Sequence, residues 1–140
     1  MTDVEGLDHI AIAVRSIEDR REHWERTLGA RFEGVEVVPG QKVKVGVFRV
    51  GVPGHEVRLE LLEPTSPDST VARFIEKRGE GLHHLAFAVG DLQRRLDALK
   101  ASGVRLIDES PRTGARGMRI AFLHPAGTGG VLTELCQPGE

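Results

Sequence analysis

The sequence predicts an α+β fold: two βαβββ modules related by pseudo-two-fold symmetry, forming a concave mixed sheet with helices on the outside. The first observation behind this is a repeat. Leu7-Asp8-His9-Ile10-Ala11-Ile12-Ala13-Val14 returns as Leu82-His83-His84-Leu85-Ala86-Phe87-Ala88-Val89. The second is an echo near the end of each half, Glu60-Leu61-Leu62-Glu63-Pro64 against Glu134-Leu135-Cys136-Gln137-Pro138. The third is spacing: His9 and His84 are 75 positions apart, Glu60 and Glu134 74.

The elements follow in order. Residues 6–14 alternate and are rich in Ile, Val and Ala, so they read as a strand with His9, Ala11 and Ala13 on one face. Ser16 is placed to cap a helix over 17–28, and Gly29 to stop it. Strands are expected over 30–38 and 42–50, with a turn at Pro39-Gly40, and a further strand over 56–63. The connector 64–69 leads through Asp68-Ser69-Thr70 into a short helix, 71–78. The second module repeats the order. A strand over 82–89 precedes a helix capped by Asp91, with Leu92, Leu96 and Leu99 on one face and Gly103 at its end. Strands are expected over 104–108, 118–124 and 131–136. The whole chain, 1–140, reads as one domain: module 1 about 6–64, connector helix about 69–78, module 2 about 81–138.

Composition narrows the function. With 39% hydrophobic and 29% charged residues, 140 positions suffice for a globular core. A net charge of −2 and the absence of Tyr argue against a nucleic-acid surface, and no apolar stretch is long enough to cross a membrane. Cys136 is the lone cysteine, which excludes an internal disulfide. A cytoplasmic location is the expectation.

Four residues carry the chemistry. The strand faces opposite the helix-packing faces hold His9 with Ala11 and Ala13, and His84 with Ala86 and Ala88; small neighbours leave room for a concavity. Glu60 lies on the corresponding face of its strand, as does Glu134 with Cys136. A single strand histidine is more often structural than a ligand, and a glutamate near a strand end is usually solvated. Duplication of both at matched places points instead to a His₂Glu₂ metal site formed by His9, Glu60, His84 and Glu134. Nitrogen and oxygen donors without thiolate suit one divalent ion, Co²⁺, Mn²⁺, Ni²⁺, Zn²⁺ or Fe²⁺, among which affinity order alone does not decide; Co²⁺ is the expectation. His83 should face away from His84 and read as structural or hydrogen-bonded. His124 reads as a turn contact and Cys136 as a small core residue. His23 and His55 receive no role.

The motifs LDHIAIAV (7–14), VRLELLEPTSPDSTVARFIEKRGEGLHHLAFAV (57–89) and RIAFLHPAGTGGVLTELCQP (119–138) resemble the vicinal oxygen chelate, or glyoxalase/dioxygenase, superfamily. Within it the similarity is greatest to the methylmalonyl-CoA epimerases and covers about residues 7–138. The resemblance implies an isomerase acting on an acyl-CoA, metal ligands at His9, Glu60, His84 and Glu134, and a homodimer. Some epimerases carry a carboxylate on the third strand, where this chain has Val43 and Val45. The implied reaction epimerises (2R)/(2S)-methylmalonyl-CoA by proton transfer at C2 through a metal-stabilised enolate. Glu134 and Glu60 are the acid/base candidates, Glu134 the stronger. Arg112, Arg116 and Arg119 flank a Gly-containing loop and receive no assignment. Two alternatives remain: a glyoxalase I-type isomerase of a glutathione hemithioacetal, and a binding protein of the same superfamily without enzymatic activity. An extradiol dioxygenase fits less well, since that chemistry uses two His and one carboxylate.

Overall fold

The structure, a computed structural model, describes residues 3–139. It comprises two compact units, one spanning His9–His83, the other residues 84–139 together with 3–8. Among the described residues no helix is long and apolar enough to cross a membrane.

In the first unit the strand order is β2-β3-β4-β1, built from β1 (Val4–Ala13), β2 (Arg31–Val38), β3 (Val43–Val50) and β4 (Val57–Pro64). From Ile10 to Ala13, β1 runs parallel to β4; β3 is antiparallel to both β4 and β2. Helix α1 (Ile17–Leu28) forms where expected: the Ser16 side chain accepts the Asp19 N–H, and Gly29 ends the helix in a left-handed conformation at φ 63°. One strand face packs Ile10, Ile12, Val14, Phe48, Leu59 and Leu61 with Ile17 and Trp24 of α1. Gly46 makes this approach close, since a Cβ there would stand 2.9 Å from Ile17 Cγ2. The connector helix α2 (Thr70–Arg78) is capped by Ser69, whose hydroxyl accepts the Ala72 N–H.

The second unit repeats the arrangement as β5-β8-β7-β6, from β5 (Gly81–Val89), β6 (Arg112–Thr113), β7 (Arg119–Leu123) and β8 (Thr133–Gln137). Helix α3 (Leu92–Ala101), capped by Asp91, buries Leu92 and Leu96 against Val89, Ala121, Leu123 and Leu135. The repeat extends to helix anchoring. Ile17 N–H donates to Glu63 Oε1 at 2.8 Å, and Leu92 N–H donates to Gln137 Oε1 at 2.8 Å. Each acceptor stands three residues beyond the glutamate of its module, so the same strand that carries the glutamate also fixes the helix start.

One expected strand does not form. Residues 104–108 make only an isolated bridge, Leu106 to Leu123. The Ile107 and Asp108 N–H groups both donate to the Phe122 carbonyl, and the Asp108 carboxylate accepts the Phe122 N–H at 2.9 Å. A side chain thus takes a place that a backbone carbonyl would hold in a ladder. Pro111 lies just ahead of the two-residue β6, which pairs with β7 in its stead.

Candidate metal centre

Each unit builds half of the expected ligand set by the same register. In the first, Ala11 is the direct partner of Glu60, and Val47 stands opposite Glu60 on the other side. In the second, Ala86 is the partner of Glu134, with Phe122 opposite. Directly paired residues point to the same face, so each glutamate shares the face of its histidine, which lies two positions before the alanine. The alanines keep the adjacent space open.

The side chains meet accordingly. His9 Nε2 lies 3.4 Å from Glu60 Oε1, and His84 Nε2 lies 3.7 Å from Glu134 Oε1. Relative exposures are 4% for His9, 3% for Glu60, 5% for His84 and 4% for Glu134, the buried charged-type residues of an otherwise apolar interior alongside Ser69. Burying a carboxylate is expensive unless a charge or a metal compensates it. Two donors each about 2.1 Å from one ion stand about 3.0–3.4 Å apart. The first pair matches that spacing and the second is slightly wider, so the residues fit a divalent ion.

The faces around these pairs differ. Beside Glu134 lie Met118, Ile120, Phe122 and Cys136 in one cluster. The Phe122 ring meets His84 edge-on, with centroids 5.1 Å apart and planes at 90°. That contact holds the imidazole plane, and the sequence signalled it only through the alternation of β7. The Arg112 guanidinium carbon lies over the Phe122 ring, 5.7 Å from its centroid. Arg116 Nη2 lies 2.5 Å from Asp8 Oδ2.

Two of the remaining histidines, His83 and His124, occupy structural positions. His83 packs edge-on against Phe74, centroids 5.0 Å apart, and burial pushes its pKa down to about 4. His124 Nδ1 accepts the Ala126 N–H at 3.0 Å, a turn contact as expected. Cys136 is buried with its Sγ 3.6 Å from the Phe87 carbonyl, also as expected.

The model of the Glyoxalase/Bleomycin resistance protein/Dioxygenase superfamily matches residues 8–122. The chain therefore belongs to this superfamily, and its fold is the glyoxalase fold. Relatives narrow the placement. An uncharacterized protein of Bacillus subtilis, YqjC, is 51% identical, covering 94% of this chain and 91% of its own. An ethylmalonyl-CoA/methylmalonyl-CoA epimerase of Cereibacter sphaeroides is 36% identical, over 94% and 96%. The crystal structure of methylmalonyl-CoA epimerase from Mycobacterium tuberculosis superposes with a TM-score of 0.92 at 36% identity, covering 100% and 92%. A variant of the Streptomyces coelicolor epimerase in complex with 2-nitronate-propionyl-CoA gives 0.89 at 36%, over 96% and 95%. Within the superfamily the chain belongs with the methylmalonyl-CoA epimerases, and it is an isomerase.

Proposed function

We propose that the protein is a divalent-metal-dependent methylmalonyl-CoA epimerase in which His9, Glu60, His84 and Glu134 together hold one ion. The observation that carries this reading is the pair of sealed His/Glu contacts, 3.4 Å and 3.7 Å, built by the same register in the two modules. The epimerase relatives supply the substrate class, an acyl-CoA with a carboxylate on C2. Two imidazoles and two carboxylates are compatible with Co²⁺, Mn²⁺, Ni²⁺ or Zn²⁺, and Co²⁺ is the ion we take for the test below.

The substrate hydrogen lies α to a thioester and next to a carboxylate. Its removal leaves a planar carbon with the charge delocalised onto the thioester oxygen. The nitronate bound by the Streptomyces relative has the same features, a planar carbon bearing delocalised negative charge, which supports this route. When bound, a divalent ion supplies Lewis acidity toward that oxygen. The chain's own residues do the rest. Ala11 and Ala86 leave room beside the carboxylates. Phe122 orients His84. Glu134 takes the C2 proton on one face and returns it there in the reverse direction. Glu60 is the symmetry-matched group for the opposite face, although coordination would lower its basicity.

The deciding experiment incubates Co²⁺-loaded protein with (2S)- and (2R)-methylmalonyl-CoA in D₂O and follows C2. Deuterium incorporation with interconversion of the epimers is expected. Unchanged substrate in both cases would refute the reading. Glu134→Gln is expected to fold, to abolish interconversion, and to abolish exchange from the epimer whose C2 hydrogen faces Glu134.

A further inference from the structure

Resting on the epimerase reading, we propose that Val47 sets how large an alkyl group the enzyme accepts on C2 of its substrate. The row through each glutamate is the same in the two units but for one position. In the first unit it reads Val47, Glu60, Ala11; in the second, Phe122, Glu134, Ala86. Each glutamate thus has an alanine on one side, and on the other a valine in one copy and a phenylalanine in the other. The Phe122 ring fills its place and closes on His84. Valine at the matching step ends at its two methyl groups, so the volume a ring would take beside Glu60 is not filled from β3. Cross-strand partners stand about 4.5–5.5 Å apart at Cβ, close enough for one bound group to meet Glu60 and Val47 together.

Strand β2 keeps the far side of Val47 clear as well. Arg31 and Phe32 pair with Arg49 and Phe48, and plain alternation would next set Glu33 across from Val47. Instead β2 takes two residues, Glu33 and Gly34, against that single step, and the partner of Val47 is Gly34 at φ 124°. Glu33 pairs with the Arg49 guanidinium, 3.0 Å away. Beyond the bulge Glu36, not Val35 or Val37, comes into register with Val45. A Cβ on Gly34 would meet no atom within 4 Å, so this side of Val47 is open space. A glycine inside a strand weakens it and packs nothing; it suits a place that another group approaches closely.

Packing does not account for the difference. Val43, Val45 and Leu62 on the same face are 1%, 2% and 5% exposed, whereas Val47, at 9%, is where that closed surface begins to open. Leu62 stands where the second unit has Cys136, and its extra bulk falls in the next row, between Val45 and Ala13. It therefore adds volume in the wrong place to cover Glu60. Interiors are packed with few voids, so a position left small beside a buried carboxylate, in one copy only, is a place held for a ligand.

The reacting carbon bears a hydrogen, a carboxylate, a thioester carbonyl and an alkyl group. The carboxylate and the carbonyl call for charge or hydrogen bonds; the alkyl group alone calls for an apolar neighbour. Ala11 is fully buried, which leaves Val47 as the apolar side chain flanking Glu60 that a substrate can reach. Its branched Cβ restricts χ1, so it forms a fixed wall. Inversion passes through a planar carbon: the proton changes faces while the alkyl group keeps its direction, and one wall serves both epimers.

The test measures kcat/KM of the full, Co²⁺-loaded chain for methylmalonyl-CoA and ethylmalonyl-CoA, and deuterium exchange at C2 of malonyl-CoA over the uncatalysed rate. Val47→Ala should raise the ethylmalonyl-to-methylmalonyl ratio about 10-fold or more, the worth of one methylene in an apolar pocket. Val47→Phe, which copies the second unit, should depress methylmalonyl-CoA turnover by a similar factor and keep malonyl-CoA exchange, with Co²⁺ content unchanged in both variants. A wild-type ratio in Val47→Ala, or equal losses for malonyl-CoA and methylmalonyl-CoA in Val47→Phe, would overturn the role. Should either variant not fold, Val47→Ile adds one methylene and must depress methylmalonyl-CoA against malonyl-CoA; an unchanged ratio there would overturn it too. Absence of methylmalonyl-CoA turnover in the unaltered protein would refute the epimerase reading itself, a distinct result.

Discussion

Ala11 stands directly across the parallel ladder from Glu60, and its methyl group is fully buried. A larger side chain there has nowhere to go but the space beside the carboxylate. Ala11→Leu is expected to destabilise the fold by about 1–3 kcal/mol through overpacking. Its loss of kcat/KM should exceed what the fraction unfolded explains. Denaturant titration alongside steady-state epimerisation checks both.

The buried His/Glu pairs make metal removal a second test. Stripping with EDTA should abolish C2 exchange and lower Tm; at a free ion concentration 100 times Kd, binding adds about 2.7 kcal/mol to stability. His9→Ala and His84→Ala should each lower the metal-to-protein ratio measured by elemental analysis. A ratio unchanged in both variants would remove these residues from the ligand set.

Glu80 supplies a pH dependence. Its carboxylate accepts the Arg15 backbone N–H at 2.6 Å and contacts the Arg20 guanidinium at 2.6 Å. The Arg15 N–H bond, with help from Arg20, holds its pKa below the ordinary 4.5. A carboxylate depressed in the folded state stabilises above its unfolded value and loses that contribution as pH falls through the folded one. Glu80→Gln should therefore cost about 1 kcal/mol at pH 7. The gap from wild type should close as the pH is lowered below 4.5, followed by urea midpoints across the range.

Helix α3 rests on Leu96, which is completely buried in the cluster with Leu92, Ala121 and Leu135. Leu96→Ala should cost about 2–5 kcal/mol, measured by thermal unfolding. Gly46→Ala offers a contrasting probe: its new methyl would press on Ile17 Cγ2, 2.9 Å away, and strain rather than a cavity would lower Tm.

Much of the fold was legible because its signals are local. Ser16 and Asp91 cap helices through contacts three residues away, and Gly29 ends α1 through its own backbone freedom. The strand faces of residues 9–13 and 84–88 follow from simple alternation. The candidate ligands were legible because duplication placed the same two side chains at the same steps of two strands. What failed was 104–108, where Asp108 bonds the Phe122 N–H: that choice depends on a partner fourteen residues away.

By itself the sequence determined the duplicated modules, the helix caps and which four residues are the candidate ligands, since each is written in neighbouring positions or in the repeat. Tertiary structure alone decided three things. It assigned the residues before His9 to the later unit, where Val4 packs beside Val89 and Leu92. It set the Phe122 ring against His84. And it placed a bulge before Val35, turning Glu36 rather than two valines toward the ligand face. Alternation fixes only relative facing within a strand; absolute facing depends on register against a partner strand, and that is settled by hydrogen bonds between residues far apart in the chain.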